Sequence, residues 1–210
     1  MSNRTVRHIA VAGNIGAGKT TLVNLLARHY RWVPQFESVD ENPYLADFYT
    51  DMKTWAFPTQ IFFLHSRFNQ VLEIRQRDNT IIQDRTIFED AHIFARNLLE
   101  SGYLSQRDFD NYYALFSSMM RMVEPPDLLI YLKASIPTLI GQIARRGRDY
   151  ESSISIGYLE NLNHLYETWI AGYTVGPLIV IDVDDMDYLR NPEDLGHIIR
   201  RIDAELFGLF

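Results

Sequence analysis

The chain has 210 residues, 47% apolar and 13% aromatic, which supplies one substantial core, so one globular domain over residues 1–210 is expected. Its 27 acidic against 20 basic side chains give a formal charge of -7, leaving no basic excess to release the counterions of a nucleic-acid polymer. With no cysteine there are no disulfides or thiolate metal ligands, and with no signal-peptide core and no apolar run near the ~20 residues of a membrane span, a cytoplasmic protein with no membrane partner is expected.

The first apolar run, "HIAVA" (8–12), reads as a strand; it leads through a glycine-rich turn into the helical "TLVNLLARHY". A second strand, "WVPQF" (32–36), contains Pro34, which restricts it to an edge or a strand end. Residues 55–76 have helical spacing and are expected to bury Phe62, Phe63, Phe68, Val71 and Leu72 as a stripe, with Pro58 tolerable only in the first turn. The strand "TIIQ" (80–83) ends in Asp84-Arg85-Thr86, with Glu89 and Asp90 shortly after; Glu89 reads as a solvated or helix-start acid. Ser105 and Asp108 mark a capped start for the helix carrying Tyr112, Leu115, Phe116 and Met119, and Pro125-Pro126 ends it before the strand "DLLIYL" (127–132). A helix follows from Ser135, and "LIVID" (178–182) is the last strand. Short aliphatic runs alternating with long helical segments predict an α/β fold, a five-stranded parallel sheet with helices on both faces.

"GNIGAGKT" satisfies G-x-x-x-x-G-K-[S/T] and stands between a strand and a helix, the context that turns a motif match into a mechanism. The backbone of Gly13, Asn14, Ile15, Gly16, Ala17, Gly18, Lys19, Thr20 and Thr21 is expected to cradle phosphates at a helix N-terminus. Lys19 reaches the outer phosphates, and Thr20 can hold magnesium. A nucleoside triphosphate is implied; its acceptor is not.

"ARRGRDYE" groups Arg145, Arg146 and Arg148 around a glycine, as in a lid over residues 144–153 that closes arginines on a transferring phosphoryl group; a solvated helix end would look the same in isolation. Glu37 ends the second strand. In a doubly wound sheet ligands bind beyond the carboxyl ends of the strands, so Glu37, Asp84 and the phosphate loop should converge on one crevice. The acidic "DVDDMDYLRNPED" (182–194) fails the calcium-loop pattern and is expected to be the last strand-to-helix loop, near the nucleotide's adenine.

Together, Gly13 to Thr20, Glu37, the spaced set Tyr49, Gln60 and Arg67, the run Asp84-Arg85-Thr86 with Asp90 and Phe94, and "RRGRDYE" resemble the deoxynucleoside kinase family, in its bacterial branch. The resemblance implies the P-loop kinase fold, a homodimer, and Mg2+-assisted transfer from ATP to the 5'-hydroxyl of a 2'-deoxynucleoside. In that family Glu37 matches the general base and Arg85 the arginine that holds the 5'-oxygen and the incoming phosphoryl group. Asp84 stands where an acid helps place magnesium, Tyr49 and Glu151 match the pair holding the 3'-hydroxyl, and Gln60, Arg67 and Asp90 match the set that reads the base, with Phe94 near its face. An acceptor at Asp90 opposes thymine, whose 4-position is a carbonyl, and deoxyadenosine is the favoured substrate ahead of deoxyguanosine or deoxycytidine. A thymidylate-type monophosphate kinase also has a phosphate loop, an Asp-Arg and an arginine lid, but needs an arginine where Glu37 stands; a non-catalytic nucleotide-binding regulator needs neither Glu37 nor the base-reading set. Gln142 stands where some family members carry a further lid arginine.

Overall fold

The computed structural model describes residues 6–36, 41–148 and 154–208. Five strands, β1 (His8–Gly13), β2 (Val33–Gln35), β3 (Ile81–Asp84), β4 (Leu128–Lys133) and β5 (Leu178–Asp182), pair in the order β2-β3-β1-β4-β5, all parallel. Each run predicted from the sequence is a strand, and β2, with Pro34, lies at the sheet edge, where one side of the backbone has no neighbour to bond. Parallel strands require long crossovers. These carry α1 (Lys19–Tyr30), α2 (Leu45–Thr50), α3 (Met52–Gln76), α4 (Ile87–Glu89), a π-helical segment (Asp90–Ala95), α5 (Arg96–Glu100), α6 (Gln106–Met120), α7 (Ile136–Arg146), α8 (Ile156–Ala171) and α9 (Pro192–Phe207).

The period-2 alternation of the strands divides the core. Ile9, Val11, Leu128, Ile130 and Leu132 pack with Leu22 and Leu26 of α1 and Ile198 and Ile202 of α9. Ala10, Ala12, Leu129 and Tyr131 face the other way, onto Leu162 and Tyr166 of α8 and onto Ile93 and Phe94 of the π segment. A third cluster lies among helices, with Leu64 and Val71 of α3 against Leu98 of α5 and Tyr112 and Phe116 of α6.

Two expectations about helices need correction. The Asp51 carboxylate accepts from Thr54 N–H and starts α3 at Met52, so Pro58 falls inside the helix and not in its first turn. The missing N–H and the ring cost roughly 3 kcal/mol, which the packing of the rest of this 25-residue helix must offset. The buried face of α3 is Ala56, Thr59, Gln60, Leu64, Arg67, Val71 and Ile74; Phe62, Phe63, Phe68 and Leu72 are only half-buried. Polar Gln60 and Arg67 lie on the inward face, so apolar spacing misidentified it. The α6 start is as read: Ser105 Oγ accepts from Asp108 N–H at 3.1 Å and donates to the Asp108 carboxylate at 2.6 Å, but Leu115 is exposed while Tyr112 and Phe116 are buried.

Candidate active site

The phosphate loop leaves the carboxyl end of β1, the central strand, and runs into α1. Gly16 has φ +86°, and a Cβ there would lie 2.8 Å from the Leu139 carbonyl oxygen and 2.9 Å from the Ile143 side chain, so only glycine lets the loop press onto α7. Asn14, nearly fully buried, pins the loop on its other side, donating to the Leu159 carbonyl at 3.1 Å and to Asn163 Oδ1 at 2.6 Å on α8. Lys19 Nζ donates to the carbonyls of Gly13 (2.8 Å) and Asn14 (3.0 Å), and the Tyr188 hydroxyl donates to the Gly18 carbonyl (3.1 Å). Loop, α7 and α8 are thus held as one unit with the amide-bearing turn facing the crevice.

At the end of the neighbouring strand β3, Asp84 Oδ2 accepts from the Thr20 hydroxyl at 2.5 Å, while Oδ1 is buried without a hydrogen-bond partner among the described residues. A buried carboxylate oxygen without a donor is costly, and a hard cation would satisfy it; carboxylate and hydroxyl oxygens are the donor set magnesium takes. The residues present therefore fit Mg2+ at Thr20 and Asp84. Next in the chain, Arg85 has φ +73°, a left-handed conformation that costs a non-glycine residue ~1–3 kcal/mol and persists only where the surroundings enforce it. Its N–H bonds the Val11 carbonyl (2.9 Å), and its guanidinium lies 4.2 Å from the centroid of the Phe94 ring. Phe94 therefore supports Arg85 as well as lining the cavity.

The base-reading candidates lie behind this pair. Asp90 Oδ2 and Arg67 Nε are 3.2 Å apart, with both side chains buried, and Arg67 Nη1 reaches the carbonyls of Asp84 (3.2 Å) and Arg85 (3.4 Å). Arg67 ties Asp90 to the backbone of Asp84 and Arg85 but does not itself line the cavity. Gln60 is 4% exposed, and its Oε1 has no partner among the described residues, an acceptor presented to whatever fills the cavity. Asp90 opens the π-helical segment, and both Asp90 and Phe94 line the cavity. Such segments mark functional sites, and no residue pattern in the sequence foretells this one.

Two cavities meet here. The first contains Tyr49, Gln60, Asp84, Arg85, Asp90 and Phe94; the second lies between the loop Gly16 to Thr21, the α7 residues Thr138 and Gln142, and Val183 to Arg190. Lys19, Thr20, Arg146 and Arg148 line both. Arg146 ends α7, Gly147 turns the chain with φ +65°, and Arg148 follows, so the glycine lets two arginines face one seam. Arg145 borders only the second cavity and donates to the Gly141 carbonyl at 3.2 Å. Val183, Asp184 and residues 186–190 wall the second cavity, within the 182–194 loop expected near the adenine.

Glu37 and Glu151 lie outside the described residues. Several cavity residues were missed: Thr59, Leu45, Phe48 and Tyr158, whose phenol burial pushes up to about 12. An aromatic on an amphipathic helix looks the same whether it faces core or cavity, so Tyr158 gave no signal. Of the two readings given for Glu89, solvated or helix-start acid, the structure bears out the second and excludes the first. Glu89 is fully buried, forming a capping box with Thr86 and also accepting from the Tyr166 hydroxyl at 2.7 Å.

The family model described as Deoxynucleoside kinase matches residues 9–207. The chain is 36% identical over 196 residues to the deoxyadenosine/deoxycytidine kinase of Bacillus subtilis, covering 92% of this chain and 90% of that one. It is 39% identical over 193 residues to the deoxyadenosine kinase of Dictyostelium discoideum (92% and 78% covered), and 36% identical over 207 residues to the deoxyguanosine kinase of Lactobacillus acidophilus (94% and 90%). Among solved structures, the deoxyadenosine kinase of M. mycoides with bound dATP superimposes with a TM-score of 0.83 at 30% identity, covering 94% of this chain and 99% of that one. The same enzyme with the products dCMP and a flexible dCDP gives a TM-score of 0.84, again at 30% identity and with the same coverage.

Proposed function

The chain belongs to the deoxynucleoside kinase family and has its P-loop kinase fold; on that premise we propose that it transfers the γ-phosphoryl group of ATP to the 5'-hydroxyl of deoxyadenosine, with deoxyguanosine and deoxycytidine as poorer acceptors. The observation that carries this is the pair of adjoining cavities, which share Lys19, Thr20, Arg146 and Arg148 at their seam. Two nucleosides facing each other across a cluster of cations is the arrangement an in-line phosphoryl transfer requires.

On the donor side, the loop amides, Lys19 and the lid arginines Arg146 and Arg148 bind and neutralise the phosphates. Thr20 and Asp84 would hold Mg2+, which when bound offsets charge on the phosphate oxygens. On the acceptor side, Glu37 is the general base that takes the 5'-hydroxyl proton, and Arg85 holds the 5'-oxygen and the incoming phosphoryl group. Tyr49 and Glu151 hold the 3'-hydroxyl. Gln60 and Asp90 present acceptors to the base, Arg67 orients Asp90, and Phe94 packs near the ring. Relatives named for deoxyadenosine, deoxycytidine and deoxyguanosine act on bases that all carry an amino group, the donor these acceptors call for.

The same proposal takes residues 1–210 as one kinase domain with a lid over residues 144–153, working in the cytoplasm as a homodimer. Among the described residues no helix is long and apolar enough to cross a membrane. The apolar outer side of α6, where Tyr113 is 39% and Leu115 42% exposed, supports the dimer.

The deciding experiment is a coupled assay with ATP against deoxyadenosine, deoxyguanosine, deoxycytidine, thymidine and dAMP. Turnover of the first three with thymidine rejected supports the reading. Turnover of dAMP alone would make this a monophosphate kinase, and none at all would leave a nucleotide-binding regulator.

A further inference from the structure

Glu89 takes no part in the reading above, yet its carboxylate is fully buried and is the convergence point of four donors. Oε2 accepts from Thr86 N–H (2.7 Å) and the Thr86 hydroxyl (3.1 Å); Oε1 accepts from Gly13 N–H (3.3 Å) and the Tyr166 hydroxyl (2.7 Å). Three segments are joined at this one side chain: the first residue of the phosphate loop, the residue that follows Arg85, and α8. Burial, and then the charge of Glu89, push the Tyr166 phenol well above its usual range, so it remains a donor. The one phenolic proton has two acceptors in reach, the Gly13 carbonyl at 2.9 Å and the Glu89 carboxylate at 2.7 Å, and the charged, nearer oxygen makes the stronger bond.

A capping box alone needs an acid only at the surface of a helix start. This one is driven into the core, where a carboxylate is retained only if donors surround it, and two of its donors belong to Thr86, the residue directly after the left-handed Arg85. Arg85 is fixed from before by Val11, which accepts its N–H, and by Arg67, which holds the carbonyls of residues 84 and 85. Glu89 fixes it from after, through Thr86 N–H, and ties that bond to Gly13. We propose that Glu89 is a positioning residue that sets the distance and orientation of Arg85 relative to the phosphate loop, with Tyr166 as its brace from α8. The proposal rests on Arg85 meeting the transferring phosphoryl group.

In E89Q the side-chain shape is kept, but the amide nitrogen must face either Gly13 N–H and Tyr166 or Thr86 N–H, donor against donor. At saturating ATP, kcat for deoxyadenosine should fall by about 10–100-fold, the cost of a misplacement near 1 Å, while KM for the deoxynucleoside, set by Gln60 and Asp90, stays as it was. Arg85→Lys should lower kcat by itself, and adding E89Q to it should lower kcat little further, because what Glu89 positions is already gone. Unchanged kcat in E89Q, or a cost that adds in full to that of R85K, contradicts the proposal. Full activity of R85K alone instead removes Arg85 from its role, and this proposal with it. Should E89Q fail to fold, as melting would show, Tyr166→Phe combined with R85K decides by the same rule: a kcat loss absorbed in the R85K background supports the brace, and an additive loss or none overturns it.

Discussion

Asp90 and Glu89 are adjacent acids, both almost fully buried, yet their surroundings differ: Asp90 pairs with Arg67 and lines the cavity, while Glu89 accepts from backbone N–H groups and hydroxyls. Asp90→Asn turns half of the acceptor pair into a donor, and kcat/KM for deoxyadenosine should fall by about 100-fold or more in the coupled assay, the scale of losing a hydrogen bond in a site built for it. Arg67→Met removes the buried partner that Asp90 meets at 3.2 Å and should destabilise the protein by ~3–5 kcal/mol, read from urea unfolding. Glu37→Gln should lower kcat by about 100-fold with ATP affinity intact, the usual worth of a general base. At this scale the sequence was legible where a residue type has one physical use. Lys19 and Thr20 at the end of a glycine loop and Asp84-Arg85 at a strand end were singled out as site candidates, and the structure brings them together at one cavity. Glu89 was not singled out, because an acid three residues after a capping threonine is ordinarily wet, and its burial comes from Tyr166, 77 positions away.

At the scale of elements, the five strands followed from period and β-branching, and their carboxyl ends placed the crevice. Helix faces were harder to read. The buried face of α3 carries Thr59, Gln60 and Arg67 because this helix forms a wall of the site, and a hydrophobic stripe is not the signature of such a wall. The π-helical turn that presents Asp90 and Phe94 is equally silent in composition, since its residues would suit an ordinary helix. Caps behave more locally. Ser105→Ala removes an acceptor for Asp108 N–H and should cost ~1 kcal/mol, lowering Tm by a few degrees in a thermal scan without touching turnover.

For the whole molecule, His8 couples stability to pH. Burial at the start of β1 outweighs its bond to Gln83 and pushes the imidazole down from 6.5 to about 4. The unfolded chain takes up a proton below about 6.5 while the folded one resists until about 4, so folding stability should be level above 6.5 and fall as pH drops through that window. His8→Gln should flatten that part of the curve in denaturant melts. If the two cavities form one site with a shared cationic seam, a compound joining adenosine and deoxyadenosine 5' to 5' through a chain of phosphates should span both, as calorimetry and inhibition against each substrate would show. Its binding should be at least about 100-fold tighter than that of ATP or deoxyadenosine alone, through the effective concentration of a short linker, with competition against both. Affinity no better than that of ATP, with competition against one substrate only, would contradict it.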